Sequence, residues 1–180
     1  MRIVGGELRS RKLAEFKGEA IRPTADSVRE SLFNILRNRV EGCAFLDAYC
    51  GTGAVGLEAL SRGAACVTFN DLSRESLSVL KKNLEILKIS ENITIKNTDA
   101  SALLACYAAE PEERKFDIIY LDPPYLAGAE KAFPFVAGAL KKSGVAIYEN
   151  EKPFNGKAEG LVLTDERKYG RVYLTFFEKL

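Results

Sequence analysis

A carboxylate, two prolines and an aromatic ring stand together at Asp122-Pro123-Pro124-Tyr125, directly after the apolar run 116–121. Neither proline donates a backbone hydrogen bond and each fixes its own φ, so a strand predicted over this run must end there. Open α/β sheets bind their ligands just beyond such strand ends. The Asp122 carboxylate, the prolyl carbonyls and the Tyr125 ring suit a planar base that carries an exocyclic amine. A strand-ending turn with a structural tyrosine is the alternative.

A second stretch with the character of a binding loop is Gly51-x-Gly53-x-x-Gly56, which follows a predicted strand ending at Asp47. Its spacing satisfies the dinucleotide fingerprint. We interpret Gly51 and Gly53 as positions where the backbone passes close to a ligand, and Gly56 as a position where the next helix packs closely. Asp47 changes the expected ligand, because a carboxylate at this strand end repels a pyrophosphate and attracts an ammonium group.

Two further carboxylates follow later strands. Asp71 ends the predicted strand Cys66–Asp71, about 20 residues beyond the glycines, where an acidic residue commonly binds ribose hydroxyls. Asp99 follows the predicted strand Ile93–Lys96 and precedes a predicted helix over Ala100–Ala109. Asp99 is either the N-cap of that helix or a contact to the edge of an adenine, and it could serve as both.

The absence of histidine narrows the possible chemistry. Ser-His-Asp triads, Cys-His nucleophiles and histidine-ligated metals are all excluded. The four cysteines, at positions 43, 50, 66 and 106, show neither a CxxC pair nor a metal-ligand spacing, and we expect small, mostly buried side chains. Catalysis must therefore use carboxylates, backbone groups, aromatic rings or a bound cofactor, and no metal is expected.

Positive charge is concentrated at the start of the chain. The formal net charge is only +1, but residues 1–40 carry nine Lys and Arg against five Asp and Glu. Five basic side chains of the first 22 residues have the reach to grip phosphates: Arg2, Arg9, Arg11, Lys12 and Arg22. Ile3-Val4 and Lys12-Leu13 could be short strands around a turn, with the rest extended or mobile. The alternative to phosphate binding is a solvated, partly disordered arm.

Hydrophobic periodicity predicts one α/β domain over residues 1–180, with a three-layer αβα arrangement. Residues 1–22 form a basic arm or hairpin, residues 23–40 an amphipathic helix and residues 41–180 the core. The first helix could be capped by Ser27 with Glu30, by Thr24 or by Asp26. A helix after the second strand could be capped by Ser73; we assign it no function, and its core-facing stripe is Leu77, Leu80, Leu84 and Leu87. A helix is predicted from about Glu130 to Lys142, and strands at 145–148, 161–164 and 172–177, of which the last two form a hairpin turning at 169–171. No apolar leader or membrane span is expected, which favours the cytoplasm.

The chain resembles the RsmD family of 16S rRNA guanine-N2 methyltransferases, within the class I S-adenosylmethionine-dependent methyltransferases. The resemblance rests on the order of four features: the basic Gly-Gly start, the segment Arg22-Pro23-Thr24-x-Asp26-x-Val28-Arg29-Glu30-x-Leu32-Phe33-Asn34, the loop Asp47–Gly56 with the helix to Gly63, and Asp122-Pro123-Pro124-Tyr125. It implies a Rossmann-like fold with a seven-stranded, mostly parallel sheet and an antiparallel last strand.

The resemblance also implies roles for individual residues. The cofactor is S-adenosyl-L-methionine, held by Thr24 as part of a lid, by Asp47 near the ammonium, and by Gly51, Gly53, Asp71, Asp99 and Asp122. Asp71 departs from the more usual glutamate. The partner is 16S rRNA or the small ribosomal subunit, met by a monomer, and the target is guanine 966 if the chain follows the family.

With this cofactor and substrate, the segment Asp122-Pro123-Pro124-Tyr125 is expected to act by orienting the target amine. Asp122 and the Pro123 carbonyl accept the two N–H bonds of the guanine amine, which turns the nitrogen lone pair toward the methyl group. Pro124 and Tyr125 contact the base, and Tyr125 stacks on it. The target guanine must be unstacked to enter such a pocket.

Three alternatives remain. A methyltransferase of the same fold could act on DNA adenine, tRNA guanine or a protein glutamine. The glycine spacing alone would fit an NAD-binding oxidoreductase. A non-catalytic RNA-binding module is the third.

Overall fold

The computed structural model describes residues 1–15, 25–124 and 130–180, which form two compact units, Met1–Asn97 and Thr98–Leu180. Within these described residues seven strands form one mixed sheet, whose last strand in the chain runs antiparallel to both of its neighbours. The predicted fold class, a Rossmann-like, mostly parallel seven-stranded sheet, is therefore confirmed. No helix of the described residues is long and apolar enough to cross a membrane.

The first unit contains three parallel strands in the order β3-β2-β1 and three α-helices. In chain order the elements are α1 (Asp26–Leu36), a 3-10 turn (Arg37–Arg39), β1 (Ala44–Asp47), α2 (Ala54–Ser61), β2 (Cys66–Asn70), α3 (Arg74–Leu87) and β3 (Ile93–Lys96). Because β1 and β2 run parallel, their carboxyl ends, after Asp47 and Asn70, lie at the same edge of the unit.

The second unit contains four strands in the order β4-β5-β7-β6. Its elements are α4 (Ala100–Ala108), a 3-10 turn (Glu112–Arg114), β4 (Phe116–Leu121), α5 (Phe133–Ala139), β5 (Leu140–Asn150), β6 (Leu161–Tyr169) and β7 (Val172–Lys179). Strand β5 runs parallel to β4, and β7 lies antiparallel to both β5 and β6. The predicted closing hairpin is confirmed, with strands longer than predicted, and Gly170 turns it at φ +61°.

Sequence patterns placed α3 correctly. Its predicted leucine stripe, Leu77, Leu80, Leu84 and Leu87, is buried. Ser73 caps the helix as predicted, because its side chain accepts a hydrogen bond from the Ser76 N–H at 3.1 Å.

The N-terminus of α1 differs from the prediction. Ala25 occupies the N-cap position and no side chain caps the helix. Asp26 lies inside the first turn, where its carboxylate instead pairs with Arg29 at 2.7 Å. The α-helix also ends at Leu36 rather than continuing to residue 40.

The predicted helix Glu130–Lys142 is too long at both ends. The helix begins at Phe133 because Pro134 is tolerated only in the first turn, where its missing N–H has no intrahelical partner to lose. It ends at Ala139 because Leu140 is already extended, with φ −83° and ψ 144°, and pairs with Phe116 of β4.

The prediction that the four cysteines are mostly buried is right for two of them. Cys43 and Cys50 are buried, whereas Cys66 and Cys106 are exposed. Cys66 begins a strand and Cys106 lies on the outer face of α4, so neither position contributes to a core.

The N-terminal fifteen residues form a hairpin that is packed within the first unit. Arg2 and Lys12 form an antiparallel bridge, and Ile3 and Leu13 are buried. The turn of this hairpin docks on the end of α2, where the Glu7 N–H donates to the Ser61 carbonyl at 2.8 Å.

Candidate active site

Asp47 is a buried carboxylate at the end of β1, with only 1% of its surface exposed. One carboxylate oxygen accepts a hydrogen bond from the Gly56 N–H, in the first turn of α2, at 2.9 Å. The bond closes the loop between β1 and α2 across nine residues. A buried negative charge is costly unless it is hydrogen-bonded or meets a positive charge, so this position favours a cationic ligand group.

The glycines of this loop are required by backbone geometry and by packing. Gly51 and Gly53 have φ values of +52° and +87°, which favour glycine. A Cβ atom on Gly53 would lie 2.3 Å from Leu80, and one on Gly56 would lie 2.3 Å from Phe69 of β2. The predicted close packing at Gly56 is thereby confirmed, and ligand contact at Gly51 and Gly53 stays a prediction.

Cys50 begins the tight turn and is not a nucleophile. Its carbonyl accepts a hydrogen bond from the Gly53 N–H at 2.7 Å. Burial raises the pKa of the Cys50 thiol far above its ordinary value, and the negative charges of Asp47 and Asp71 raise it further. The thiol therefore stays protonated at any physiological pH, which removes thiolate chemistry from this loop.

Asp71 links the loop that follows β1 to the turn that follows β2. One carboxylate oxygen accepts from the Gly51 N–H at 2.8 Å, and the other accepts from the Ser73 N–H at 2.7 Å. The side chain is half-buried. Each carboxylate oxygen has two acceptor positions, so both can still accept a hydrogen bond from a ligand hydroxyl.

Asn97 fixes the backbone that carries Asp71, a role the sequence analysis missed. Its amide donates to the carbonyls of Asp71 at 2.8 Å and Leu72 at 3.0 Å, while its oxygen accepts from the Arg74 guanidinium at 3.3 Å. An asparagine directly after β3 was the available signal, because such a side chain readily bonds nearby backbone groups.

Asn83 is a second residue that was missed, because α3 was assigned no function. Its buried amide donates to the Thr52 carbonyl of the glycine loop at 3.0 Å and to the Ala14 carbonyl at 3.2 Å. Its oxygen accepts from the Ala14 N–H at 2.6 Å. Asn83 thus ties the end of the N-terminal hairpin to the glycine loop; the available signal was a polar residue adjacent to the leucine stripe.

In the second unit, Asp99 is the N-cap of α4, as one of its two predicted roles required. Its carboxylate accepts from the N–H groups of Ser101 at 2.9 Å and Ala102 at 3.1 Å, and also from the Ser101 hydroxyl. The Ser101 hydroxyl and then the Ala102 N–H lower the pKa of this exposed carboxyl. The predicted adenine contact of Asp99 stays a prediction.

Asp122 follows β4 immediately, as predicted, and its side chain is half-buried. Pro123 is buried and Pro124 is exposed. Parallel pairing with β5 extends to Leu121, opposite Tyr148, so the last paired residue anchors the backbone directly before Asp122. Below it, the Tyr120 hydroxyl donates to the Glu149 carboxylate in the buried sheet. Tyr125, Thr24 and Arg22 lie outside the described residues.

The basic residues of the hairpin are only partly available for phosphates. Arg2 forms an ion pair with Asp26 at 3.5 Å, and Arg11 donates to the Ile86 carbonyl at 2.7 Å. Buried Arg29 adds a further anchor, because it donates to the Arg2 carbonyl at 2.6 Å. Arg9 and Lys12 are exposed. In the ranges the structure covers, no group of three or more His, Cys, Asp or Glu side chains could hold a metal ion.

Comparison with known proteins gives a consistent match over the whole chain. A family model described as Conserved hypothetical protein 95 matches residues 1–178. The chain is 32% identical over 184 residues to YlbH of Bacillus subtilis, described as a candidate rRNA methyltransferase, with 99% of each chain covered. It is 38% identical over 156 residues to the ribosomal RNA small subunit methyltransferase D of Haemophilus influenzae, covering 84% of this chain and 79% of that one.

A solved structure supports the same relationship. The Escherichia coli protein yhhF, described as a candidate methyltransferase, superposes with a TM-score of 0.84 at 32% identity. The superposition covers 99% of this chain and 97% of the other.

Proposed function

The chain belongs to the RsmD family, whose model matches residues 1–178, and from that premise we propose that it methylates the exocyclic N2 amine of a guanine in 16S rRNA of the small ribosomal subunit. The methyl donor is S-adenosyl-L-methionine. The proposed target is guanine 966, and the protein acts as a monomer.

The buried carboxylate of Asp47 is the observation that carries this proposal. S-adenosyl-L-methionine has an ammonium group and a sulfonium but no phosphate, whereas NAD has a pyrophosphate. A negative charge that is 1% exposed beside a glycine loop favours the first ligand and disfavours the second. This favours a methyltransferase over the oxidoreductase alternative.

The remaining residues of the first unit fit the same cofactor. Gly51 and Gly53 are proposed to let the backbone pass close to the cofactor, and the Asp71 carboxylate, held by two N–H groups, keeps acceptor positions for the ribose hydroxyls. Asp99 is proposed to accept from the adenine amine and Thr24 to belong to the lid. Bound S-adenosyl-L-methionine supplies an already activated methyl group, so the protein needs no metal to activate it.

The protein's own residues then orient the N2 amine of the target guanine. The lone pair of the guanine N2 nitrogen is delocalised into the ring, which makes this nitrogen a poor nucleophile. The Asp122 carboxylate and the Pro123 carbonyl accept its two N–H bonds and turn the lone pair out of conjugation, and Asp122 also borders the cofactor. Pro124 and Tyr125 hold the base in line, so catalysis rests on orientation and fixed dipoles.

RNA binding is proposed for the hairpin. Arg9 and Lys12 offer exposed charges, and Arg2, Arg11 and Arg22 add to the basic surface that grips phosphates around the target. The guanine must leave its stack to reach the tetrapeptide.

The test is Asp122→Ala with methyl transfer measured on small-subunit particles that lack the modification. We expect kcat to fall on the order of 1000-fold, with cofactor affinity within about a few-fold of wild type because Asp47 and Asp71 remain. The matched control is Asp117→Ala, which removes a carboxylate of the same strand that pairs with Lys141 at 2.8 Å. Near-normal turnover by Asp122→Ala would sink the proposed role.

The alternatives are separated by substrate. Labelled methyl transfer to separate RNA, DNA and protein pools distinguishes rRNA from DNA adenine and from protein glutamine, and purified tRNA distinguishes the tRNA alternative. A thermal shift with NAD but none with S-adenosyl-L-methionine would indicate the oxidoreductase, and RNA binding with no transfer to any pool would indicate the non-catalytic module.

A further inference from the structure

A cavity of about 610 Å³ lies where the hairpin, the end of α1 and the end of α2 meet. All of its lining residues belong to the first unit, and we refer to it as the tip pocket: Gly6, Phe33, Asn34, Arg37, Asn38, Val40 and Arg62. Its volume falls in the range of pockets that hold small molecules or single nucleotides.

The tip pocket is separate from the proposed reaction site. Helix α2 begins beside the glycine loop, after the carboxyl end of β1, and ends at Ser61, next to Arg62. Arg37, Asn38 and Val40 come just before the start of β1 at Ala44. An eight-residue helix is about 12 Å long, so the pocket lies at the end of β1 opposite to Asp47.

Arg37 lies on this pocket in a conformation that favours glycine. Its φ is +40° and its ψ is −119°, near the values of the first central residue of a type II′ turn. Its backbone N–H donates to the Phe33 carbonyl, and its side chain donates to the Asn34 carbonyl at 3.2 Å. Residues with strained backbone of this kind cluster at ligand-binding and catalytic sites.

The charge of Arg37 is not neutralised within the described part of the chain, where no carboxylate pairs with its guanidinium. The side chain is exposed. Asn34 and Asn38 are exposed as well and add amide donors at the pocket. An exposed guanidinium with neighbouring amides is suited to an anionic oxygen.

Arg62 forms a fixed wall of the tip pocket rather than a free charge. Its guanidinium lies 5.1 Å from the centre of the Phe33 ring, and Nε pairs with the buried Glu58 carboxylate at 2.7 Å. A Cβ atom on Gly5 would lie 2.2 Å from the guanidinium, so the hairpin backbone passes directly beside it. Arg37 is therefore the cation of this pocket whose charge is available to a ligand.

We propose that the tip pocket is a second RNA-binding site, in which Arg37 and the two asparagines bind a phosphodiester of the substrate RNA beside the fixed wall that Arg62 forms. The proposal rests on the proposed function for the identity of the RNA. RNA is favoured over an acidic protein surface because the pocket continues into the basic hairpin: the Arg9 N–H donates to the carbonyl of Gly6, which lines the pocket.

The test is Arg37→Gly, with unmodified 16S rRNA free of protein as the probe. Removing one phosphate contact should weaken binding on the order of fivefold and reduce the slope of log K against log salt by about 0.7 to 0.9. The melting temperature should rise, because glycine fits the backbone at this position. Weaker binding by a more stable protein is an outcome that a merely structural role for Arg37 does not produce.

The matched control is Lys88→Gly. Lys88 is also an exposed basic residue of the first unit with a positive φ, at +59°, and it caps the end of α3 without lining the tip pocket. Its loss should leave the salt slope and the affinity at wild-type values.

Three outcomes would overturn the proposal: unchanged affinity and salt slope in Arg37→Gly, an equal loss in Lys88→Gly, or a loss seen only with assembled particles, which would indicate a ribosomal protein at the pocket. Because binding is measured without turnover, a wild-type protein that binds rRNA but transfers no methyl group would contradict the proposed function and leave this test valid.

Discussion

Asp71 and Asp99 each follow the end of a parallel strand, but they accept hydrogen bonds from residues at different distances along the chain. Asp71 bonds the N–H of Gly51, twenty residues earlier in the chain, as well as that of Ser73. Asp99 bonds only the first turn of its own helix. The first carboxylate therefore shapes a loop contributed by another strand, and the second shapes only its own helix terminus.

We therefore expect Asp71 to matter for both folding and cofactor binding, and Asp99 to matter less. A side chain that joins distant segments stabilises their arrangement, and its loss releases both. An N-cap can be replaced by any residue with a similar acceptor.

Asp71→Ala should have the largest effect. It leaves the Gly51 and Ser73 N–H groups without their acceptor, and we expect the free energy of unfolding to fall by about 2 kcal/mol. Affinity for S-adenosyl-L-methionine should fall at least about tenfold, because the loop loosens and the proposed ribose acceptor is removed. Urea unfolding and calorimetric titration measure the two effects. Wild-type affinity in this variant would contradict the assignment of Asp71.

Asp99 should show a smaller effect that separates its two roles. Asp99→Ala should cost about 1 kcal/mol of stability through loss of the cap, whereas Asp99→Ser keeps an acceptor and should cost only a few tenths, about 0.3 kcal/mol. If Asp99 also binds the adenine amine, both variants should lose cofactor affinity by a similar factor. Calorimetric titration of Asp99→Ser decides the point: wild-type affinity there would leave the N-cap as the only role.

The smallest expected effect is a change in stability at low pH that depends on Asp99. Hydrogen bonds lower the pKa of Asp99 in the folded protein, so its contribution is present above the pKa of the unfolded chain, near 4. That contribution disappears as the pH falls through the lower folded pKa. The stability difference between wild type and Asp99→Asn should therefore shrink below about pH 4. A difference that stays constant from pH 6 to pH 3, measured by urea unfolding, would be inconsistent with this linkage.

Local patterns predicted much of the fold. The strands β1 to β4, the leucine stripe of α3, and the caps at Ser73 and Asp99 follow from periodicity and from residues adjacent in the chain. The errors also have local causes that compete with periodicity. Pro134 delays the start of α5, and the extended backbone at Leu140 ends it early.

The side chains that tie distant segments together were not predictable in this way. Asn83 joins Ala14 to Thr52, Asn97 supports the carbonyls of Asp71 and Leu72, and Arg29 reaches the Arg2 carbonyl. Each bonds backbone far away in sequence, and backbone partners leave no mark in the residue types. For the same reason, the strand-end acids and the glycine loop were recognisable as candidates, while the hydrogen bond by which Asp71 holds the Gly51 backbone was not.

The most direct measurement is to map the methyl group itself. Small-subunit particles lacking the modification are incubated with the protein and isotopically labelled S-adenosyl-L-methionine, and the 16S rRNA is then digested and analysed by mass spectrometry. The account predicts label in N2-methylguanosine at a single position, and none with Asp122→Ala. Label on adenine, on several guanines, or on ribosomal protein instead of rRNA would contradict it.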